Sequence, residues 1–216
     1  MKKGRVLLIG GTALCFLGGI LWVFSSSILP RFSSKTSTQT SSPVAQNNGS
    51  ILTTSNQIEL KANQSNYASI ESTDRNVILG SSARQNGNIT VSAHSLKIEN
   101  NAWIEGDIVV ENGRLEIGNS VTVNGSVTAI AAGTVRIGNN TQITGAVSLR
   151  NSNFSAGNSN TLHSVSLDGG MLEIGDNNTI SENLNNSRGI VTIGNSNTIA
   201  GYINTAEFHE GSNNTF

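Results

Sequence analysis

Charge is scarce in this 216-residue chain: 12% of residues are Asp, Glu, Lys or Arg, and the formal net charge is −1. That removes the electrostatic case for nucleic acid as a partner. Aromatics make up 5%, too few for a core built on large rings, so a core must come from Ile, Val and Leu. The single cysteine, Cys15, excludes an intrachain disulfide framework. From residue 76 onward no 3.6-residue apolar period is sustained, and Gly and Asn interrupt the chain every few positions. Helices explain such a pattern badly. What the chain has in quantity is Gly (23 residues), with Asn, Ser and Thr crowding its second half.

The N-terminus stands apart. Lys2, Lys3 and Arg5 precede an uncharged apolar run from Val6 to Phe24. A run of that length spans roughly 28 Å as a helix, close to the hydrocarbon thickness of a bilayer. A secretory signal's apolar stretch is shorter, about 7–15 residues. Residues 1–24 therefore read as one transmembrane helix, a membrane anchor. Cleavage after the small residues Ser25, Ser26 and Ser27 is the alternative, giving a secreted form. The basic cluster ahead of the span keeps the N-terminus cytoplasmic and sends the rest outward. Residues 25–50, rich in Ser, Thr and Gln, bury too little apolar surface to offset their ordering entropy and read as a flexible linker.

Residues 51–216 repeat themselves. IGNSVTV (117–123), IGNNTQI (137–143), IGDNNTI (174–180) and IGNSNTI (193–199) are versions of one phrase. With the Gly of each phrase as position zero, the series runs Gly80, Glu99, Gly118, Gly138, Gly157, Gly175, Gly194, Gly211, in steps of 17 to 20 residues. A fainter turn, QIELKANQSNYASI (57–70), comes one step earlier. Aliphatics recur at −3 (Leu96, Leu115, Val135), −1 (Ile98, Ile117, Ile137), +5 (Ile104, Val123, Ile143) and +9 (Ile108, Val127, Val147, Ser166). Within a turn they alternate with polar residues, the period of a strand buried on one face. A constant return near 19 residues predicts a single-stranded parallel β-helix, a three-sided solenoid of eight to nine coils. Stacked about 4.8 Å apart, these coils make a rod of roughly 40 Å.

The residue after Gly is Asn100, Asn119, Asn139, Asn158, Asp176 and Asn195 in successive turns, and Asn160, Asn178, Asn197 and Asn214 follow at +3. Gly and the adjacent Asn tolerate the left-handed conformations of a sharp corner, and stacked Asn side chains hydrogen-bond along a ladder. A second Gly column (Gly87, Gly106, Gly125, Gly145, Gly201) reads as another corner. The phrase is thus predicted to grip the neighbouring coils rather than a ligand. One Asp among the Asn residues lacks the charge that calcium-binding solenoids need. His94, His163 and His209 fall at unrelated positions, so no metal set is assigned. The carboxylates Glu99, Glu105, Asp107, Glu111 and Glu116, near Lys97 and Arg114, read as a solvated face rather than a polysaccharide-cleaving site. A hexapeptide acyltransferase fits only briefly over 117–128, because the step is not a multiple of six. The chain is read as non-enzymatic, with no catalytic residue and no cofactor.

The stretch WIEGDIVVENGRLEIGNSVTVNGSVTA (103–129) resembles the bactofilins, the polymer-forming cytoskeletal proteins of bacteria: a Gly-Asp-Ile corner, alternating aliphatics, then the next Gly-x-Val. The resemblance is strongest over 95–150 and looser over 76–216. It implies a compact right-handed β-helix that polymerises end to end without nucleotide and associates with membranes as a scaffold. An outward-facing domain and an Asn-rich second half depart from the family pattern. The closing segment EFHEGSNNTF puts Phe208 and Phe216 in two core columns of an incomplete last coil. These rings are predicted either to stack on another copy or to plug the core as a lid. The expected partners are the chain itself, the membrane and cell-envelope components. A monomeric, extracytoplasmic, adhesin-like module is the competing expectation.

Overall fold

The computed structural model describes residues 51–216, together with two short antiparallel strands at Phe16–Leu17 and Ile20–Leu21. The expected anchor and linker otherwise lie outside the described residues. From Gln57 on, the chain is an all-β parallel solenoid of about eight turns. Among the described residues there is no helix, and hence none long and apolar enough to cross a membrane.

Each turn has three faces. In the second turn the strands are Asn76–Leu79, Arg84–Asn86 and Ile89–Ser92; in the third, Ser95–Ile98, Trp103–Glu105 and Ile108–Glu111. Matching residues pair in parallel register. Val77, Leu96, Leu115, Val135, Phe154, Leu172, Val191 and Phe208 form one continuous column. All but Phe208 are at most 1% exposed. Alternation explains the core: inward residues of every strand meet those of the other faces along one axis, and each buried aliphatic contributes on the order of 1.5–3 kcal/mol before entropy. From Val127 the strands run through the third corner and lengthen, as in Val127–Ile137 and Gln142–Ala156, with a register shift between Ile130 and Gly133 absorbing the extra residue of the 20-residue step.

Two details differ from the expected columns. At +9 the sixth turn buries Val165, in register with Val147 and Leu184, while Ser166 points outward. The register shifts between Ile143 and Ala146, so the turn is one residue shorter there. The first strand of the domain, Ile51–Thr53, is not part of a parallel coil. It folds back antiparallel on Gln57–Leu60, pairing Ile51 with Leu60 and Thr53 with Ile58. The Thr54 N–H donates to the Gln57 carbonyl at 2.8 Å to close this hairpin. This strap occupies the outer edge of the first turn.

Candidate functional site

The corner that carries the repeated phrase works by close approach. A Cβ on Gly138 would sit 2.5 Å from Asn119 Oδ1 and 2.7 Å from the Gly118 carbonyl carbon. Gly118, Gly194 and Gly211 meet the preceding Asn or Asp oxygen in the same way. The glycine at zero is there for space. Left-handed backbone falls two residues later instead, on Ser82, Asn101, Ser120, Asn140, Ser159, Asn177, Ser196 and Asn213, with φ between 55° and 60°. This corrects the expectation that Gly and the adjacent Asn supply the positive φ. Ser and Asn bear it because a short polar side chain tolerates that region.

The space freed by glycine admits the ladder. Asn100 Oδ1 accepts the Asn119 N–H at 2.7 Å, and Asn119 the Asn139 N–H at 2.7 Å. The rungs continue from Asn139 to Asn158, Asn158 to Asp176, Asp176 to Asn195 and Asn195 to Ser212. Every side chain here accepts from the following turn, and all are exposed except the half-buried Asp176. A second ladder lies inside, in the opposite sense. Asn160 Oδ1 accepts the N–H of Thr141, Asn178 that of Asn160, Asn197 that of Asn178 and Asn214 that of Asn197, at 2.7–2.8 Å. Asn160, Asn178 and Asn197 are at most 2% exposed. In earlier turns the same column is Ala83, Ala102 and Val121.

The acidic residues are dispersed over the faces, and Glu99, Glu105, Asp107 and Glu116 each have a local partner. Glu99 accepts from Ser81 and lies 3.6 Å from Lys97 Nζ; Glu116 pairs with Arg114. Hydrogen bonds from Asn124 and Trp103 hold Glu105 below its ordinary pKa. Those from the Ser126 backbone and hydroxyl do the same for Asp107. A depressed carboxylate pKa stabilises the fold above the unfolded value, about 3.9 for Asp, and that stability is lost as pH falls through the lower folded value. Asp107→Asn is therefore expected to reduce the loss of urea midpoint between pH 6 and pH 2.5. An unchanged acid limb would show that Asp107 plays no part in it.

His163 stands 3.6 Å from Glu182 and His209 2.7 Å from Glu207. Among the described residues no three His, Cys, Asp or Glu side chains gather as a metal set.

At the far end, Phe208 is half-buried against the core and Phe216, in the last turn, is 55% exposed. The rings meet edge to face, centroids 5.8 Å apart at 72°. Sequence reasoning missed the inward orientation of the second Asn ladder, although its alternation with the +5 aliphatics carried that signal.

The geometry defines a parallel β-solenoid whose repeated motif is bonded to itself. No family model matches the chain, and no curated protein or solved structure shows significant similarity to it.

Proposed function

We propose that this protein is a membrane-anchored, bactofilin-like structural scaffold that self-associates through the end of its β-solenoid. The observation that carries the reading is the last turn: an exposed Phe216 ring rests on Phe208, beside a strand that pairs with only one neighbour among the described residues. An unpaired strand edge beside apolar surface is a template for pairing with another chain. The anchor, the bactofilin resemblance and the outward orientation rest on residues 1–24 and 95–150 of the sequence. The repeated phrase supports a structural role, since its polar groups are spent on neighbouring turns.

The test is a concentration series of the full chain in detergent micelles, read by negative-stain microscopy and mass. Paired or longer rods that grow with concentration are expected, and Phe216→Asp is expected to weaken association at least tenfold. Single rods at every concentration would sink the scaffold reading and favour the monomeric surface module.

A further inference from the structure

We propose that two copies of this chain pack side by side as antiparallel rods, through the outer face of the strands that carry the Val77–Phe208 column, about a two-fold axis at Ser155. The contact lies on the flank of the solenoid and does not rest on the end-association reading above.

Register builds the face. Inward residues of these strands form the core column, so the residues next to them point outward. Lys97, Glu116, Arg136, Ser155, Glu173 and Thr192 stack as one outward column, paired from turn to turn, and His209 continues it. Two residues earlier in the same strands stand Ser95, Arg114, Thr134, Asn153, Met171 and Ile190.

Most of the charge on this face is paired within the chain. Lys97 Nζ lies 3.6 Å from Glu99, Arg114 pairs with Glu116, and His209 lies 2.7 Å from Glu207. The side chains of Arg136 and Glu173 make no ion pair or hydrogen bond among the described residues, and both are exposed. They stand in one column, one turn to either side of Ser155. Two turns separate them by about 9.6 Å, too far to meet each other. Opposite charges are thus set symmetrically about a small neutral residue.

A two-fold axis along the Ser155 strand turns that arrangement into complementarity. Turns equally distant from the axis then face each other. Arg136 of each copy faces Glu173 of the other, twice by symmetry. Thr134 faces Met171, which is 44% exposed, and Arg114 lays its stem over the half-buried Ile190. Glu116 faces the neutral Thr192, and Lys97 faces His209 with Glu207 within diagonal reach. Moving the axis to Arg136 or to Glu173 sets that residue against itself. An axis midway between Arg136 and Ser155 sets Glu116 against Glu173. One midway between Ser155 and Glu173 leaves both unpaired charges against neutral residues. Parallel rods set every turn against its own copy, so Arg136 approaches Arg136 and Glu173 approaches Glu173.

Seven turns of four-residue strands offer a surface of roughly 30 Å by 13 Å, about 400 Å² per copy. That is about half of what each side of a standard stable interface buries. The contact is therefore weak and reversible, and charge sets its register more than its strength.

The experiment uses the full chain in detergent micelles, with Cys15→Ser, one new cysteine and a short bismaleimide. Ser155→Cys is expected to join to itself, because the axis sets residue 155 opposite its own copy across sheets about 10 Å apart. Thr192→Cys, four turns from its own copy in this arrangement, is expected to stay unjoined. In the Ser155→Cys chain, Glu173→Arg sets guanidinium against guanidinium twice and is expected to slow joining about tenfold at low salt. Adding Arg136→Glu restores the opposite pairs and is expected to return the rate to within roughly threefold of the Ser155→Cys chain. No joining at residue 155 would overturn lateral pairing, and equal joining at 155 and 192 would show parallel rods and overturn the two-fold. An exchange variant as slow as Glu173→Arg alone would overturn the register. Phe216→Asp is expected to leave joining at 155 unchanged; its loss there would make this an end contact and overturn the assignment to the flank.

Discussion

Gly138→Ala is expected to cost about 3 kcal/mol of stability, large for the addition of one methyl group. The new Cβ has no room: Asn119 Oδ1 lies 2.5 Å from its position, and the Gly118 carbonyl carbon and oxygen 2.7 and 2.8 Å away. Two of these atoms are backbone, fixed by the stacking of the turns, so relief requires the turns to part or the Asn119–Asn139 rung to break. Gly133 is the control. It has φ +65° and nothing within 4 Å of a Cβ, so Gly133→Ala meets only backbone strain, about 1 kcal/mol. Urea midpoints of the two variants separate a requirement for space from one for conformation. A Gly138→Ala loss no larger than that of Gly133→Ala would refute the close-approach account.

Asn178→Ala is expected to be of similar size, about 3 kcal/mol, for a different reason. Asn178 is 1% exposed, and its Oδ1 is the acceptor for the Asn160 N–H at 2.8 Å. Truncation leaves that donor buried without a partner and opens a cavity, in a place where Asn160 Nδ2 already lacks one. The outer ladder offers a matched comparison. Asn139→Ala also removes an acceptor from a backbone N–H, that of Asn158 at 2.7 Å, but water reaches the corner, and the expected cost is about 1 kcal/mol. Equal losses for the two variants would mean that burial does not distinguish the ladders.

Much of the solenoid was legible because stacking forces like onto like. The column from Val77 to Val191 follows from alternation and a near-constant step, and its members pair in register. What was not legible lay where two conformations share one sequence signal. Ile51–Thr53 alternates like any strand, and nothing in three residues separates an antiparallel strap from a parallel coil. Val165 and Ser166 exchanged places because a step one residue short can be taken up on either side of His163. The left-handed residue at +2 is hidden by composition, since Ser and Asn occupy that site and its neighbours alike. The Phe208–Phe216 end was visible as two aromatic residues in a chain poor in them, but the edge-to-face contact that leaves Phe216 half in water depends on no further described turn lying over it.

The opposed directions of the two Asn ladders bear on how the rod comes apart. From Thr141 to Asn214 each junction between turns is crossed by one side-chain bond running up and one running down. Before Val121 the inner column is Ala or Val, and the paired arrangement is missing. The N-terminal junctions are bonded through other side chains, Asn76 to Ser95 and Asn88 to Asp107 in one direction and Glu99 to Ser81 in the other. Neither turn of a doubly bonded junction can open without orphaning a group on the other. The amides of the turns joined by both ladders are therefore expected to exchange with solvent together. The turns that carry both ladders lead directly to the Phe208–Phe216 contact.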